Sequence, residues 1–256
     1  MIHPTAIIGE GAQISREVSV GPYSIIGNMV SIGRGTKIGA HSVISGKTSI
    51  GKNNTIFNHV SIGEVPQDKK YNGEDTTLTI GDNNIIREFC TFNTGTIQDR
   101  GDTYIGNKNW IMAYVHIAHD CYVGNGVIMA NCVQLGGHII VGDNAFLGGF
   151  TGIHQFCRVG AHAMTGVGSV VLADIPPFVT AMGNRAKPYG INSEGLKRFG
   201  FEADTITEIK RAYKVIYRAG LTMEQAVKKL RAQSQGGDVI EQLVDFLVGT
   251  NRSIIR

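Results

Sequence analysis

The segment 113–124, AYVHIAHDCYVG, holds the side chains with the clearest chemical potential in the chain. His116 and His119 are three residues apart, and Asp120 directly follows the second histidine. An imidazole that titrates near neutral pH can act as a general base, bind a metal ion or carry a proton, and an adjacent carboxylate can orient it. The His-x-x-His spacing alone does not choose among these roles, so the choice depends on the elements that carry these residues.

The composition excludes several classes of protein. Of the 256 residues, 42% are hydrophobic and 18% are charged, as in a folded domain, and a net charge of +3 is too small to indicate a nucleic-acid partner. No stretch approaches the ~18 consecutive apolar residues of a membrane span, and the first residues lack the features of a signal peptide. We therefore expect a cytoplasmic protein with no membrane span. The four cysteines form no CxxC pair and are predicted to be buried thiols.

An aliphatic residue recurs at every sixth position over most of the chain. The series runs over 8–62, resumes over 80–92 and continues over 105–171, where only Thr165 breaks the apolar rule. A period of six fits neither a helix nor simple strand alternation. It fits a short strand followed by a tight corner, so that three strands close a coil of 18 residues and neighbouring coils stack. Glycine follows seven of the first ten aliphatic positions, and we expect it there because it adopts corner conformations that a Cβ hinders.

The repeat divides the chain into three parts. Residues 1–175 are predicted to form a parallel β-helix of roughly nine coils, with a projecting loop at 64–78. Residues 176–191, which begin within the boundary sequence DIPPFV, are predicted to be a linker, and residues 192–256 to be a small α-helical domain of three helices. A second interruption, at 93–104, shifts the repeat by one residue, and loops that leave a rigid solenoid commonly form its binding surface.

A coil of 18 residues places residues that are 18 apart on the same face. The stacked sets are His119, Gly137 and Gln155; Ala118, Gly136 and His154; and Asp120 with His138. Because adjacent coils lie about 4.8 Å apart, these polar groups should converge around a hollow left by the two glycines. A general base at this face is the interpretation that the residue types favour. A zinc site built from His116, His119 and His138, or a nucleophile at Cys121, are the alternatives.

Five sequence blocks point to a particular family. They are HIAHDCYVGN, LGGHIIVGD, GIHQFCRVGAH, IGEVPQDKKY and GINSEGLKRFGF. Together with the repeats and the helical tail, they resemble the acyl-[acyl-carrier-protein]–UDP-N-acetylglucosamine O-acyltransferases over essentially the whole chain. The resemblance implies a left-handed β-helix that transfers a 3-hydroxyacyl chain from acyl carrier protein to the 3-hydroxyl of UDP-N-acetylglucosamine, the first step of lipid A biosynthesis. It also implies no metal and no cofactor beyond the phosphopantetheine of the acyl donor.

The resemblance assigns roles to individual residues. His119 matches the family's general base, Asp120 the acidic residue that orients it, and His116 a secondary histidine. The backbone N–H of Gly137 matches the donor that faces the developing oxyanion. The residues that match substrate contacts are Gln67, Asp68, Lys70, His138, His154, Gln155, Asn192, Glu194 and Arg198.

Three further expectations follow from the resemblance. The family is a homotrimer with sites between subunits. Its acyl carrier protein is acidic, and residues 185–231 carry eleven Lys and Arg against five Asp and Glu, which would steer such a partner. Members that accept long acyl chains tend to have Gly at the position of Val167, so we expect Val167 to limit the chain to roughly ten to twelve carbons, because a clash outweighs the ~0.8 kcal/mol gained per buried methylene.

Other classes of protein remain as alternatives. One is another hexapeptide-repeat acyl- or acetyltransferase, including one that uses a 3-amino UDP-sugar acceptor, since the same base serves an amine. A second is a metal hydrase, which chelation would inactivate. The third is a non-enzymatic scaffold, whose repeats need no converging polar groups.

Overall fold

The computed structural model describes residues 1–233, 238–250 and 252–256. Within these residues, short strands form three sheets that are the three walls of a prism, and all strand pairs but the last are parallel. The first sheet contains β1 (Ile7–Ile8), β4 (Ile25–Ile26), β7 (Val43–Ile44), β10 (Ser61–Glu64), β13 (Thr91–Asn93), β16 (His116–Ile117), β19 (Gln134–Leu135), β22 (Gly152–Ile153) and β25 (Val170–Val171).

The other two walls have the same construction. The second sheet contains β2 (Gln13–Ile14), β5 (Ser31–Ile32), β8 (Lys47–Ile50), β11 (Thr77–Ile80), β14 (Asp102–Ile105), β17 (Tyr122–Val123), β20 (Ile140–Val141) and β23 (Arg158–Val159). The third contains β3 (Ser19–Val20), β6 (Lys37–Ile38), β9 (Thr55–Ile56), β12 (Ile85–Ile86), β15 (Trp110–Ile111), β18 (Ile128–Met129), β21 (Phe146–Leu147), β24 (Met164–Thr165), β26 (Val179–Met182) and β27 (Lys187–Ile191). Up to β26, successive strands of the chain therefore belong to different walls, as expected for a β-helix.

The aliphatic position of each repeat points into the prism. Ile44, Ile62 and Ile117 are fully buried in one continuous apolar column. Thr165, the polar exception, is also fully buried, and its Oγ1 lies 2.8 Å from Thr151 Oγ1 and accepts a hydrogen bond from Gly148 N. The hydroxyl is therefore satisfied, which removes most of the cost of burying it.

The glycines of the repeat have a different cause from the one expected. A Cβ on Gly33 would meet the carbonyl carbon of Gly51 in the next coil at 2.6 Å, and one on Gly39 would meet Asn58 N at 2.5 Å. Many of the corners with positive φ are instead occupied by other residues, such as Tyr23 (φ 57°). At Gly33 and Gly39, as at Gly9, Gly21 and Gly51, the adjacent coil approaches too closely for a side chain, and the explanation by corner conformation was wrong for these five positions. Gly63 has the positive φ that was expected, at 84°.

Residues 176–191, expected to be a linker, are part of the sheet. β26 pairs in parallel with β24, and β27 returns antiparallel to β26. Val179 and Ala181 are buried and continue the core, although the six-residue rhythm that would have identified them has ended. The prediction of a linker was wrong because a hairpin with no repeat can still extend a repeat sheet.

In the part of the chain that the structure describes, four helices follow where three were expected. They are α1 (Ser193–Arg198), α2 (Ala203–Tyr217), α3 (Met223–Gln233) and α4 (Asp238–Val248). The short α1 was missed because six residues are too few to display helical periodicity. The Thr222–Gln225 capping box is confirmed: Gln225 N donates to Thr222 Oγ1 at 3.2 Å, and Thr222 N donates to Gln225 Oε1 at 3.0 Å. No helix among the described residues has the length and apolar character needed to cross a membrane.

Candidate active site

The polar cluster lies at the corner that follows β16, β19 and β22. Ile117, Leu135 and Ile153 are aligned in register, so the residues two places later stack as predicted. His138 N donates to His119 O, and Phe156 N donates to Gly137 O, each at 3.0 Å. This register fixes the side chains on one rigid edge of the prism.

His119 and Asp120 form a hydrogen-bonded pair. His119 Nδ1 lies 2.9 Å from Asp120 Oδ2, and the two residues are 8% and 1% exposed. An ionised carboxylate only accepts, so this contact assigns the proton to Nδ1 and leaves Nε2 as the basic nitrogen. Burial alone would raise the pKa of Asp120, but hydrogen bonds from His119 and Thr96 hold it below its ordinary value. Asp120 is therefore a carboxylate at neutral pH, as an orienting group must be.

Two threonines hold Asp120 in place. Thr96 donates to the carboxylate from its Oγ1, at 2.6 Å, and from its backbone N, at 3.0 and 3.1 Å to the two oxygens. Asp120 N in turn donates to Thr103 Oγ1 at 2.9 Å. Both threonines belong to the second interruption of the repeat.

His138 is held by a second carboxylate. Its Nδ1 lies 2.9 Å from Asp99 Oδ2 and 3.9 Å from Asp120 Oδ2. The ring stands edge-on to that of His119, with centroids 4.9 Å apart, and stacks on Phe156 at 4.3 Å. Packing and hydrogen bonding thus fix the plane of this imidazole.

The absence of a side chain at Gly137 leaves room for the imidazole ring of His119. A Cβ on Gly137 would stand 2.5 Å from Cε1 and 2.6 Å from Nε2 of His119. Within the described residues, the N–H of Gly137 donates to no backbone or side-chain acceptor. The absence of a side chain therefore leaves both the basic nitrogen and a free donor at the same edge.

An open depression of about 530 Å³ contains most of the stacked groups. Its lining includes Gln67, His116, His119, Gly137, His154 and Gln155. Of the residues expected to converge here, His119, His154 and Gln155 line the depression with Gly136 and Gly137, whereas Asp120 and His138 do not. Gln67 reaches the depression from the projecting loop, which leaves the prism after Glu64 and returns at Thr77.

Two of the lining histidines have partners of their own. His116 Nδ1 lies 2.8 Å from Thr91 Oγ1, and burial lowers the pKa of His116. His154 Nδ1 lies 3.1 Å from Gln155 O and 3.2 Å from Arg252 Nη1, and the second contact brings the C-terminal segment to the rim. Both imidazoles are therefore oriented before any ligand binds.

Other predicted residues lie outside the depression of a single chain. Asp68 and Lys70 are in the projecting loop, where Lys70 N donates to Asp68 Oδ1 at 3.0 Å. Asn192 caps α1 by accepting from Gly195 N and also donates to His162 O, while Glu194 pairs with Lys197 on the surface. Arg198 ends α1, and Val167 is 78% exposed at the corner before β25. None of these six lines the depression around His119.

The structure argues against a cysteine nucleophile. Cys121 is fully buried, its Sγ donates to Gly136 O at 3.1 Å, and burial raises the pKa of the thiol to about 12. A thiol that stays protonated inside the core is a poor nucleophile.

The potential metal ligands that the structure brings together differ from the predicted set of three histidines. Among the described residues, one group of potential ligands clusters within 4.8 Å, namely His119, Asp120 and His138, whereas His116 is not part of it. The Nδ1 atoms of both histidines already face carboxylates at 2.9 Å. Hydrogen bonding within the cluster therefore accounts for its close spacing.

The residues that sequence reasoning missed are Thr96, Asp99 and Thr103. They lie in the second interruption, where the 18-residue spacing fails and cannot align them with the site. The only signal was the polar composition of NTGTIQDRGDTY and its position one coil before His119.

The fold and the site together define a hexapeptide-repeat transferase with a left-handed parallel β-helix. Residues 102–137 match the bacterial transferase hexapeptide (six repeats) family, and residues 174–255 match the family described as UDP N-acetylglucosamine O-acyltransferase, domain 2. The acyl-[acyl-carrier-protein]–UDP-N-acetylglucosamine O-acyltransferase of Thiobacillus denitrificans is 62% identical, and the match covers 100% of this chain and 99% of that protein.

Further relatives extend the same result. The protein of that name from a Janthinobacterium species is 60% identical, with 100% and 99% of the two chains covered. LpxA from Acinetobacter baumannii superposes with a TM-score of 0.98 at 46% identity, covering 100% and 99% of the chains. The UDP-N-acetylglucosamine acyltransferase of Francisella novicida gives 0.97 at 42% identity, with 100% and 94% covered. The chain belongs to the acyl-[acyl-carrier-protein]–UDP-N-acetylglucosamine O-acyltransferase family.

Proposed function

We propose that the protein transfers a 3-hydroxyacyl chain from acyl carrier protein to the 3-hydroxyl of UDP-N-acetylglucosamine, the first step of lipid A biosynthesis. The observation that carries the proposal is the His119–Asp120 pair, whose basic nitrogen lies against Gly137 in an open depression between coils. The names of full-length relatives at 60% and 62% identity support the choice of donor and acceptor.

His119 is the general base of the proposed reaction. Its Nε2 takes the proton from the sugar 3-hydroxyl as that oxygen attacks the thioester carbonyl, and Asp120 stabilises the imidazolium that forms. The N–H of Gly137 donates to the oxyanion of the tetrahedral intermediate. When the intermediate collapses, the C–S bond breaks, and the proton passes from His119 to the thiolate of the phosphopantetheine arm. A thioester is already activated, so this step needs neither a metal ion nor a covalent enzyme intermediate.

The sugar nucleotide is bound by polar groups around this base. Gln67, His138, His154 and Gln155 contact the sugar and diphosphate, with Asp68 and Lys70 contributing from the projecting loop. Asn192, Glu194 and Arg198 hold the uridine and phosphates. Because these last three lie outside the depression of their own chain, they act across the subunit boundary of a homotrimer, and His116 serves as a secondary histidine beside the base.

The acyl carrier protein docks on the basic C-terminal part of the chain. Lys210, Arg211, Lys214 and Arg218 are all exposed along α2 and its end, and Lys228, Lys229 and Arg231 are exposed on α3. A positive surface of this kind accelerates the approach of an acidic partner and makes the rate depend on ionic strength. The reaction takes place in the cytoplasm.

The acyl chain follows the outer face of the first sheet away from His119. Gly152 forms part of the floor of the depression, and apart from its chain neighbours no atom lies within 4 Å of the place where its Cβ would be, so the surface is open there. Gly152 pairs with Val170 of β25, and Val167 stands at the corner just before that strand. Val167 closes the path and limits the chain to about ten to twelve carbons, because a clash costs more than each buried methylene gains.

Incubation with UDP-N-acetylglucosamine and a series of 3-hydroxyacyl carrier proteins, with products identified by mass spectrometry, tests the proposal. A mono-acylated sugar nucleotide is expected from the wild type and from the control His3→Gln, which replaces an exposed histidine outside the depression, but not from His119→Ala. A chelator should have no effect. If no chain length gives product, the function is wrong. A UDP-sugar with a 3-amino group is then the next acceptor to test.

A further inference from the structure

The second interruption of the repeat packs over the edge that carries the cluster. The coil from Thr91 to His116 takes 25 residues instead of 18, and the extra residues form a turn between β13 and β14. Gly101 N and Asp99 N both donate to Thr96 O, at 3.0 and 3.4 Å. We name residues 94–101 the clasp.

The clasp is tied to the coils at both ends. Gly95 N donates to Thr77 O at 3.0 Å, and Thr94 N donates to Glu64 O at 3.0 Å. On the other side, Asp102 Oδ1 accepts from Thr77 Oγ1 at 2.7 Å. A turn with both ends fixed can hold a side chain in place, which a freely moving loop cannot do.

One contact of the clasp reaches the carboxylate beside the base. Thr96, which is 1% exposed, gives Asp120 one hydrogen bond from its hydroxyl and shares its backbone N–H between the two carboxylate oxygens. Asp120 Oδ2, which accepts from the Thr96 hydroxyl, is also the oxygen that lies 2.9 Å from His119 Nδ1. Thr96 therefore determines how Asp120 faces the imidazole.

A second contact reaches the neighbouring imidazole. Asp99 Oδ2 lies 2.9 Å from His138 Nδ1, and the side chains are 41% and 10% exposed. The pair closes a continuous row of polar groups: His119 and Asp120 at 2.9 Å, Asp120 and His138 at 3.9 Å, and His138 and Asp99 at 2.9 Å. Asp99 is thus the outer member of a second imidazole–carboxylate pair.

We infer that the clasp is a positioning element of the active site, in which Thr96 orients Asp120 and Asp99 orients His138. Asp99 holds the proton of His138 on Nδ1 and leaves Nε2 to contact the substrate, as Asp120 does for His119. The inference rests on the proposed function for its kinetic consequences, but its structural consequence, the tautomer of His138, is independent of any substrate. A purely structural clasp would support the corner without fixing the tautomer.

Asp99→Asn tests the second contact. The amide keeps the size of the side chain, but it offers a donor as well as an acceptor and removes the charge. We expect the KM for UDP-N-acetylglucosamine to rise about 3- to 10-fold with little change in kcat, the effect of losing a half-exposed charge-assisted hydrogen bond. The matched control is Glu17→Gln, because Glu17 forms a comparable surface pair with Arg34 in a distant coil.

The tautomer of His138 is a readout that would not change if the clasp had only a structural role. In protein labelled with ¹⁵N-histidine, the wild type and Glu17→Gln should show His138 with its proton on Nδ1, and Asp99→Asn should show increased population of the Nε2–H form. The signal is assigned by its loss in His138→Gln. An unchanged tautomer together with an unchanged KM would overturn the role of Asp99. If the wild type catalysed no acylation but the His138 tautomers were as expected, the result would count against the proposed function alone.

Thr96→Val tests the first contact, with Thr96→Ser as the conservative variant. Valine keeps the shape and the backbone N–H but removes the hydroxyl from Asp120, so kcat should fall about 3- to 10-fold, and serine should restore it. Since the hydrogen bond from the Thr96 hydroxyl helps to lower the pKa of Asp120, its loss should also raise that pKa, measured from the pH profile of the Asp120 carboxyl ¹³C signal. Equal kinetics and equal pH profiles in both variants would overturn the role of Thr96.

Discussion

The imidazole of His119 lies directly on the backbone of Gly137, with Nε2 only 2.6 Å from the position a Cβ would occupy. Alanine at 137 would push the ring away from the place set by Asp120. We expect Gly137→Ala to lower kcat about 100-fold, because a displacement of ~1 Å in a reacting group has an effect of that size. Steady-state acylation assays check this.

The matched control for this substitution is Gly27→Ala. The nearest atom to its Cβ would be 3.3 Å away in a coil far from the site, so folding and activity should both persist. If Gly137→Ala keeps wild-type kcat while its Tm is unchanged, the close contact has no catalytic significance.

Val167 offers a test of the proposed path for the acyl chain. The side chain is 78% exposed and stands at the corner before β25, the strand that pairs with Gly152. Val167→Gly should raise kcat/KM for longer chains by about fourfold for each additional methylene that becomes buried, the equivalent of ~0.8 kcal/mol. Competition between carrier proteins that bear chains of ten to sixteen carbons measures the preference.

Val248→Gly controls for the loss of an exposed valine, since Val248 is 60% exposed at the end of α4. It should leave the chain preference unchanged. The assignment of Val167 would be wrong if its glycine variant kept the wild-type ranking of chain lengths.

The base of the projecting loop depends on Asn93. Its Nδ2 donates to Val65 O at 2.9 Å and to Glu64 O at 3.3 Å, only a few residues before Gln67 enters the depression. Asn93→Ala would leave these carbonyls without that donor, at a cost of about 1 kcal/mol. We expect faster tryptic cleavage after Lys69 and Lys70 and a KM for the sugar nucleotide that is raised several-fold.

Asn107→Ala is the comparison, because Asn107 also bonds a neighbouring coil, by accepting from Asp82 N, but lies away from the loop. It should leave cleavage at the two lysines unchanged. Similar cleavage in both variants would mean that Asn93 does not fix the loop.

The six-residue repeat was sufficient to predict the walls of the prism and part of the site. The stack of His119, Gly137 and Gln155 followed from spacing alone, because no insertion separates these coils and a fixed count therefore fixes the register. The projecting loop could also be located, since the repeat resumes in phase after it.

The contacts made by the insertions could not be predicted from the six-residue repeat. Asp99 is 39 residues from His138, and Thr96 is 24 from Asp120; neither is a multiple of 18. The course of an irregular turn is set by its own hydrogen bonds, which a periodic pattern does not encode. The hairpin at 176–191 and the short α1 were not predicted for a related reason, because neither segment contains a periodic pattern.

A histidine outside the site predicts how stability depends on pH. His162 stacks near Phe178 and meets Phe199 and Phe201 edge-on at 4.9 and 5.0 Å, where the β-helix joins the helical part. Burial lowers the pKa of His162, and its buried Nδ1 has no hydrogen-bond partner among the described residues. The folded protein therefore holds the neutral ring.

Because the unfolded chain binds this proton more readily, stability rises with pH in this range. The contribution of His162 is present above the unfolded pKa of about 6.5 and is lost as the pH falls through the lower folded value. In the wild type, His162 should contribute up to about one proton to the proton uptake that accompanies unfolding between pH 7 and pH 5. His162→Phe should abolish this contribution, which is measured as the slope of the unfolding free energy against pH. Phenylalanine occupies other corners of positive φ, including 156 and 178, so the variant should fold. His116→Gln serves as the comparison, since burial lowers the pKa of His116 as well. If the slope is unchanged in His162→Phe but reduced in His116→Gln, the acid sensitivity arises at the active-site face and not at the junction with the helices.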